Sequence, residues 1–325
     1  MKRAEYLVFE TGGTKLIVGV AGEDCRLIET KVLYRTGEDR AQQSLDKLIT
    51  TARELRKHYE LEGSSFRAIG FGFGGTVRRS TREPHLCLHE DGWDGLPVVQ
   101  ILEQEFGLPV AIENDCKVAA LAESHFGAGK GFQTVFYVTI GTGVGGGIVC
   151  DGKIQVFSDI GEAEIGHVVV APQGPMCPCG GRGCVEAVCS GPGISRLAEW
   201  ITKQDPAAWK SSNIGGDRSS PQTISSEEIM RQWRKGDLFA TTVVDRAAGY
   251  LSQGLATVIN LISPDVIVVG GGVGAGNHDF LQKVSKKTDL QVVSYFRGQY
   301  RIVPSQLGEQ VVSQGAAILA AQSFT

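Results

Sequence analysis

Hydrophobic and polar positions along the chain fall into two recurring patterns. Short apolar runs rich in β-branched residues, each closed by glycine, predict strands, and longer stretches with apolar residues three and four apart predict helices. Near the N-terminus, three consecutive strands are predicted at Tyr6 to Glu10, Leu16 to Val20 and Arg26 to Tyr34, separated by glycine-containing turns. Gln42 to Tyr59 follows as a helix. Ala68 to Val77 alternates apolar residues with glycine, as a strand does where something must approach its backbone closely. Val110 to Glu113 is a further short strand. Asn114 and Asp115 then precede the periodic stretch Val118, Ala119, Leu121, Ala122 and Phe126, which puts the pair at a helix N-terminus, where both side chains are favoured caps.

At residue 135 the pattern begins again. Val135 to Ile140, Gly147 to Cys150 and Lys153 to Phe157 predict a second set of three strands, and V-F-E-T-G-G-T-K-L-I-V-G-V shares its design with V-T-I-G-T-G-V-G-G-G-I-V-C. Two copies of one supersecondary unit point to two similar lobes, on a match that is short and dominated by glycine. The polar segment Lys203 to Gln222 reads as a surface insertion, Thr241 to Ile262 as a long helix and Asp265 to Val269 as a buried strand. Val311 to Gln322 is a terminal helix whose Gly-Ala-Ala lets another element pack closely.

Length agrees with two lobes, because 325 residues exceed what one hydrophobic core supports. The apolar fraction of 42% and charged fraction of 21% are ordinary, but 43 glycines are about twice average usage and cluster after apolar runs, as tight turns at strand ends do. A formal net charge of −4 leaves no basic footprint for nucleic acid or an anionic membrane. With no signal-peptide core after Met-Lys-Arg and no run of 18 apolar residues, a soluble cytoplasmic protein acting on small molecules is expected. Four of the eight cysteines cluster at 177, 179, 184 and 189, a pattern that in a reducing compartment means metal more often than disulfides.

Several motifs carry candidate chemistry. E-T-G-G-T-K at 10–15 is a strand–Gly-Gly–strand turn in which backbone N–H groups of Gly12 and Gly13 can face an anion while Thr14 and Lys15 offer a hydroxyl and a charge; alone, it is equally an ordinary hairpin turn. No Walker loop or dinucleotide fingerprint is present. Gly141, Thr142 and Gly143 repeat the device, and the turn through Gly271 and Gly272 offers bare backbone to a nucleoside. Asp115 is either a cap or a base that takes a hydroxyl proton, with Asn114 fixing the same substrate. His167 with Cys177, Cys179 and Cys184 forms a Cys₃His set suited to closed, structural zinc, and Glu164 and Glu186 flank that loop.

Taken in order, E-T-G-G-T-K, E-N-D-C-K-V-A-A-L-A-E, G-T-G-V-G-G-G, E-I-G-H, C-P-C-G-G-R-G-C-V-E and P-D-V-I-V-V-G-G-G-V resemble the signatures of the ROK family of sugar kinases. The resemblance implies an α/β, two-lobed, actin-like ATPase fold, each lobe a mixed sheet flanked by helices. The expected lobes are residues 1–114 joined by helix 311–325, and residues 115–310 with the zinc site. It further implies Asp115 as catalytic base, Asn114, Glu164, His167 and Glu186 as sugar ligands, and the turns at Glu10 to Lys15, Gly141 to Gly143 and Gly271–Gly272 holding ATP with Mg²⁺. Three departures stand out: Glu10 where aspartate is common, G-F-G-G-T-V at 72–77, and Lys117 two residues after the proposed base. The expected reaction is transfer from ATP to a hexose, foremost the 6-hydroxyl of glucose, by a homodimer. Fructose, mannose or an N-acetylhexosamine as acceptor, and polyphosphate as donor, remain alternatives. A sugar-responsive regulator, which the resemblance would give a DNA-binding domain in front, is disfavoured because the first strand begins near residue 5 and leaves no room for a helix-turn-helix.

Overall fold

The computed structural model describes residues 3–13, 15–36, 40–87, 90–210, 212, 214 and 224–324. Two compact units emerge, the first comprising Met1–Gly131, Gly147–Glu162 and Leu307–Thr325, the second Phe132–Gly146 and Ala163–Gln306. In chain order come β1 (Tyr6–Thr11), β2 (Lys15–Ala21), β3 (Leu27–Tyr34), α1 (Ala41–Leu61), β4 (Ala68–Phe73), β5 (Thr76–Arg78), β6 (Glu83–Leu86), α2 (Val98–Phe106), β7 (Val110–Asn114) and α3 (Asp115–Phe126). Then follow β8 (Thr134–Ile140), β9 (Val144–Cys150), β10 (Lys153–Ile154), α4 (Val185–Cys189), α5 (Gly191–Gln204), α6 (Pro206–Lys210), α7 (Ser226–Arg234) and α8 (Leu238–Ile262). The chain closes with β11 (Val266–Gly270), α9 (Gly271–Gly274), α10 (His278–Asp289), β12 (Arg301–Pro304) and α11 (Val311–Phe324).

The first sheet has strand order β3-β2-β1-β4-β7, with β1 to β3 antiparallel and β4 and β7 parallel to β1. Alternation along β1 sends Leu7 and Phe9 into a core with Leu45 and Leu48 of α1 and Leu102 of α2, while Tyr6 and Val8 pack on Ala316, Ala317 and Ala320 of α11. Both faces of the sheet are therefore covered. Two glycines make this possible: a Cβ on Gly70 would lie 1.8 Å from the Ala316 carbonyl oxygen, and one on Gly315 would lie 1.8 Å from that of Val118. The glycine alternation of β4 and the Gly-Ala-Ala of α11 thus have one cause, the close stacking of β4, α11 and α3.

The second sheet repeats the design in the order β10-β9-β8-β11-β12, with β9 and β10 antiparallel and β8, β11 and β12 parallel. A hairpin of three strands followed by two parallel strands is the shared unit that the paired glycine motifs signalled. Among the described residues, no helix is long and apolar enough to cross a membrane.

Several boundaries differ from the sequence-based expectation. The strand over 68–77 is broken after Phe73, since Gly74 and Gly75 turn the chain against the Thr11 and Leu86 carbonyls, and β5 pairs only with β6. β9 starts earlier, at Val144, and β10 stops at Ile154, beyond which Val156 and Phe157 are exposed. The polar segment 203–222 holds the end of α5 and, after a break at Asp205, α6 up to Lys210, and residues 211, 213 and 215–222 lie outside the described residues. The division at 114/115 also shifts: α3 belongs to the first unit because its Val118 carbonyl receives Gly315 of α11, and residues 147–162 join that unit too.

Candidate active site

Asp115 begins α3 in the first unit, where β7 runs directly into the helix. Asn114 is the cap: its Oδ1 accepts from the Cys116 and Lys117 amides at 2.9 and 3.3 Å. The Asn114 side-chain Nδ2 donates to the Gly75 carbonyl and to Asp115 Oδ1, both at 3.0 Å, and Cys116 N donates to the same Asp115 oxygen at 2.7 Å. Two donors on one oxygen fix the rotation of the carboxylate at a helix N-terminus, where the anion is favoured.

Glu10, near the end of β1, is the second acid of this unit. Burial pushes its carboxyl up to about 7, the Ser313 hydroxyl pulls it down from 2.5 Å, and the charge of Asp115 pushes it up again. The adjoining turn is pinned by Gly12 N donating to the Lys15 carbonyl at 2.9 Å, and by Arg35 donating to the Gly12 and Gly13 carbonyls at 3.4 and 3.2 Å. The Gly12 N–H is thus spent inside the turn and, contrary to the sequence-based expectation, is not free to face an anion. Lys15 pairs with Glu309 of the segment before α11 at 2.7 Å, and Thr14 lies outside the described residues.

In the second unit, Glu186 opens α4 and its Oε2 accepts from Val144 N at 3.0 Å, which ties it to the Gly141–Gly143 turn; its Oε1 lies 3.9 Å from Cys177 Sγ. Glu164 is exposed at the start of a 3₁₀ turn over Ile165–His167, and His167 N donates to the Glu164 carbonyl at 3.0 Å. Ligand atoms of His167, Cys177, Cys179 and Cys184 all lie within 4.8 Å of one another. Zinc–sulfur bonds of about 2.3 Å in a tetrahedron put sulfurs roughly 3.8 Å apart. Cys179 and Cys184 are 3.8 Å apart, and Cys177 Sγ is 3.9 Å from His167 Nδ1, so the set fits a closed zinc site. Burial raises the Cys177 thiol to about 12 and also raises Cys184, whereas the Gly181 N–H lowers Cys179. Gly183 must be glycine: its φ is +70°, and a Cβ would lie 1.5 Å from the Ala171 carbonyl oxygen.

A cleft of about 760 Å³ opens in the same unit, between the starts of α5 and α7 and the turns at Gly141 and Gly272. Its volume is in the range of small-molecule sites. A Cβ on Gly141 or Gly272 would meet nothing within 4 Å, so packing does not require glycine there and bare backbone faces the cleft. Gly271, with φ of +79°, makes the sharp turn after β11, and Asn277 braces it by donating to the Gly272 and Val273 carbonyls at 3.1 and 3.0 Å. Glu227, at the start of α7, is held below the usual carboxylate range by its own backbone N–H and by the Ser225 and Ser226 hydroxyls. Glu227, Arg234 and Asn277 are absent from the sequence-based candidates. Ser-Ser-Glu-Glu at 225–228, a cap followed by acids, is the signal from which this helix start could have been found.

The chain is 30% identical to the glucokinase of Thermotoga maritima over 317 residues, covering 98% of this chain and 97% of that one. A ROK family glucokinase from Streptomyces griseus, solved with glucose and AMPPNP, superposes with a TM-score of 0.77 at 31% identity, covering 98% and 99% of the two chains. The ROK hexokinase of Thermus thermophilus superposes with a TM-score of 0.81 at 29% identity over 98% of each. The doubled hairpin-and-parallel-strand unit is accordingly the actin-like ATPase fold of the ROK sugar kinases. The family match extends from residue 6 to residue 323, through the Asp115 turn, the cysteine loop and the glycine turns alike, and the chain belongs to the ROK family.

Proposed function

We propose that this protein is an ATP-dependent hexose kinase that phosphorylates the 6-hydroxyl of glucose. The observation that carries the reading is the Asp115 carboxylate, rotationally fixed by Asn114 Nδ2 and Cys116 N at the head of α3, in a chain 31% identical to a glucokinase solved with glucose and AMPPNP. Asp115 accepts the proton of the attacking hydroxyl, which must leave as the phosphoryl group arrives. Asn114 orients Asp115 and takes a neighbouring hydroxyl. Glu164 and Glu186 accept from the other hydroxyls, and the His167 ring N–H turned away from the cysteines donates to one of them.

The 760 Å³ cleft, with Gly272, would hold the donor's nucleoside, and the Gly141–Thr142–Gly143 turn beside it the phosphates; the Gly12–Gly13–Thr14–Lys15 turn of the first unit is a further phosphate candidate. Glu10 would be the carboxylate that holds the accompanying Mg²⁺, directly or through water, and the cation's charge would offset the push of Asp115 on Glu10. Zinc on His167, Cys177, Cys179 and Cys184 supplies rigidity, since four protein ligands leave no open position. The reading also includes a cytoplasmic location and a homodimer.

A phosphorylation screen of glucose, fructose, mannose and N-acetylhexosamines against ATP and polyphosphate tests this. Glucose with ATP is expected to give the highest kcat/KM. Transfer only to another sugar, or only from polyphosphate, would overturn the substrate assignment, and no transfer to any hexose would overturn the kinase reading.

A further inference from the structure

Behind the Asn114–Asp115 turn, in the first unit, four charged side chains close a ring. Lys117, the third residue of α3, is 4% exposed at its side chain and lies 2.9 Å from Glu162 and 3.6 Å from Glu113. Arg79 forms the opposite corner, bonding Glu113 Oε2 at 3.0–3.1 Å and gripping Glu162 with both guanidinium NH₂ groups. Two cations and two carboxylates make the ring neutral. A buried cation in the first turn of a helix opposes the helix dipole, so Lys117 is tolerable only because the two carboxylates face it. Against the upward push of burial, Arg79 and Lys117 hold Glu162 below the usual carboxylate range.

The ring touches two functional segments. Glu113 Oε1, which faces Lys117, also accepts from the Asn114 amide at 2.8 Å, and Asn114 holds Asp115. On the other side, Glu162 ends a stretch that is bound repeatedly to residues 78–80: Arg79 donates to the Ser158 carbonyl at 2.6 Å, Ser80 N to Asp159 Oδ1 at 2.7 Å, and Arg78 pairs with Asp159 at 3.1 Å. Two residues beyond Glu162 the chain reaches Glu164.

We infer that Lys117 is a positioning residue, which joins the Asp115 turn to the 158–162 segment through its paired contacts with Glu113 and Glu162. The inference rests on the kinase reading for the name of what is positioned, but not for the clamp itself. Misplacement of a reacting group by about 1 Å can lower turnover on the order of 10²-fold.

Lys117→Met removes the charge and keeps the length. In that variant, backbone amide exchange followed by mass spectrometry is expected to quicken in peptides spanning 112–118 and 156–163 together, with α1 and α2 unaffected. The variant's kcat for glucose is expected to fall at least about 10-fold, with the ATP KM within about 2-fold of wild type. Glu162→Gln carries the same test with one ion pair left on Lys117, should the first variant not fold. The double variant restores neutrality through the remaining Arg79–Glu113 pair, so its thermal midpoint is expected to recover while kcat stays low. Unchanged exchange in either peptide, unchanged kcat in both single variants, or kcat recovering with the midpoint in the double variant would overturn the inference. A wild type that phosphorylates no hexose would overturn the kinase reading instead, leaving the exchange result to decide the clamp.

Discussion

Glu10 stands where a carboxyl is hard to keep ionised: desolvation and the field of Asp115 oppose the charge, and the hydroxyl and backbone N–H of Ser313 with the Lys15 charge only partly offset them. Its folded-state pKa of about 7 exceeds the ordinary value of 4.5. A raised acid contributes stability that is full below the unfolded pKa and lost as pH rises through the folded one, so the apoprotein loses stability between about pH 4.5 and 7. The loss is on the order of 3 kcal/mol at pH 8. Gln at this position keeps an acceptor for Ser313 and cannot ionise. Glu10→Gln without nucleotide or divalent cation is therefore expected to melt several degrees above wild type at pH 8 and near it at pH 5, and a difference independent of pH would contradict this. At this scale the sequence was uneven as a guide. Asp115 and the Cys₃His set stood out because their chemistry is local, within two and eighteen residues. Lys117 stood out only as an oddity, since its partner Glu162 is 45 positions away and Arg79 lies 83 before Glu162, a separation only the fold can close.

Among elements, the cysteine loop depends most on its ligands. Outside the metal set its described core is small, with Cys177 and Cys184 packed on Ala187, and its turns rest on Gly180 and Gly183 at positive φ. Metal ligation and loop folding are therefore coupled. Elemental analysis is expected to find close to one zinc per chain, and Cys179→Ser is expected to lose most of it and raise the sugar KM at least about 10-fold, with the ATP KM little changed. Full zinc retention by that variant, or a change falling on ATP alone, would contradict this. The strands and long helices were legible where a period was sustained, as in β1, β2, α1 and α8. Shorter elements such as α2, α7 and β12 offered fewer than three turns or five residues of pattern, and their packing against β7, α8 and β11 decides their form.

For the whole molecule, the doubled motif was readable because glycine turns follow apolar runs twice, and the sheets repeat one strand order. The division into units was not. The first unit gathers three separate stretches, and what recruits α3 and α11 is the close approach of Gly70 to Ala316 and of Gly315 to Val118, residues so far apart in the chain that no local period encodes the contact. The claim on which the account turns is that this fold brings a sugar hydroxyl to a fixed carboxylate at Asp115. Asp115→Asn preserves the side-chain oxygen that accepts from Cys116 N, and the helix keeps its cap because Asn114 supplies it. Steady-state kinetics of the purified variant with glucose and Mg-ATP, alongside its thermal midpoint, is the direct measurement. The variant's kcat is expected to be at least about 10²-fold lower, with a nearly unchanged glucose KM and an unshifted midpoint, whereas turnover near the wild-type rate would make Asp115 a structural residue and contradict the mechanism.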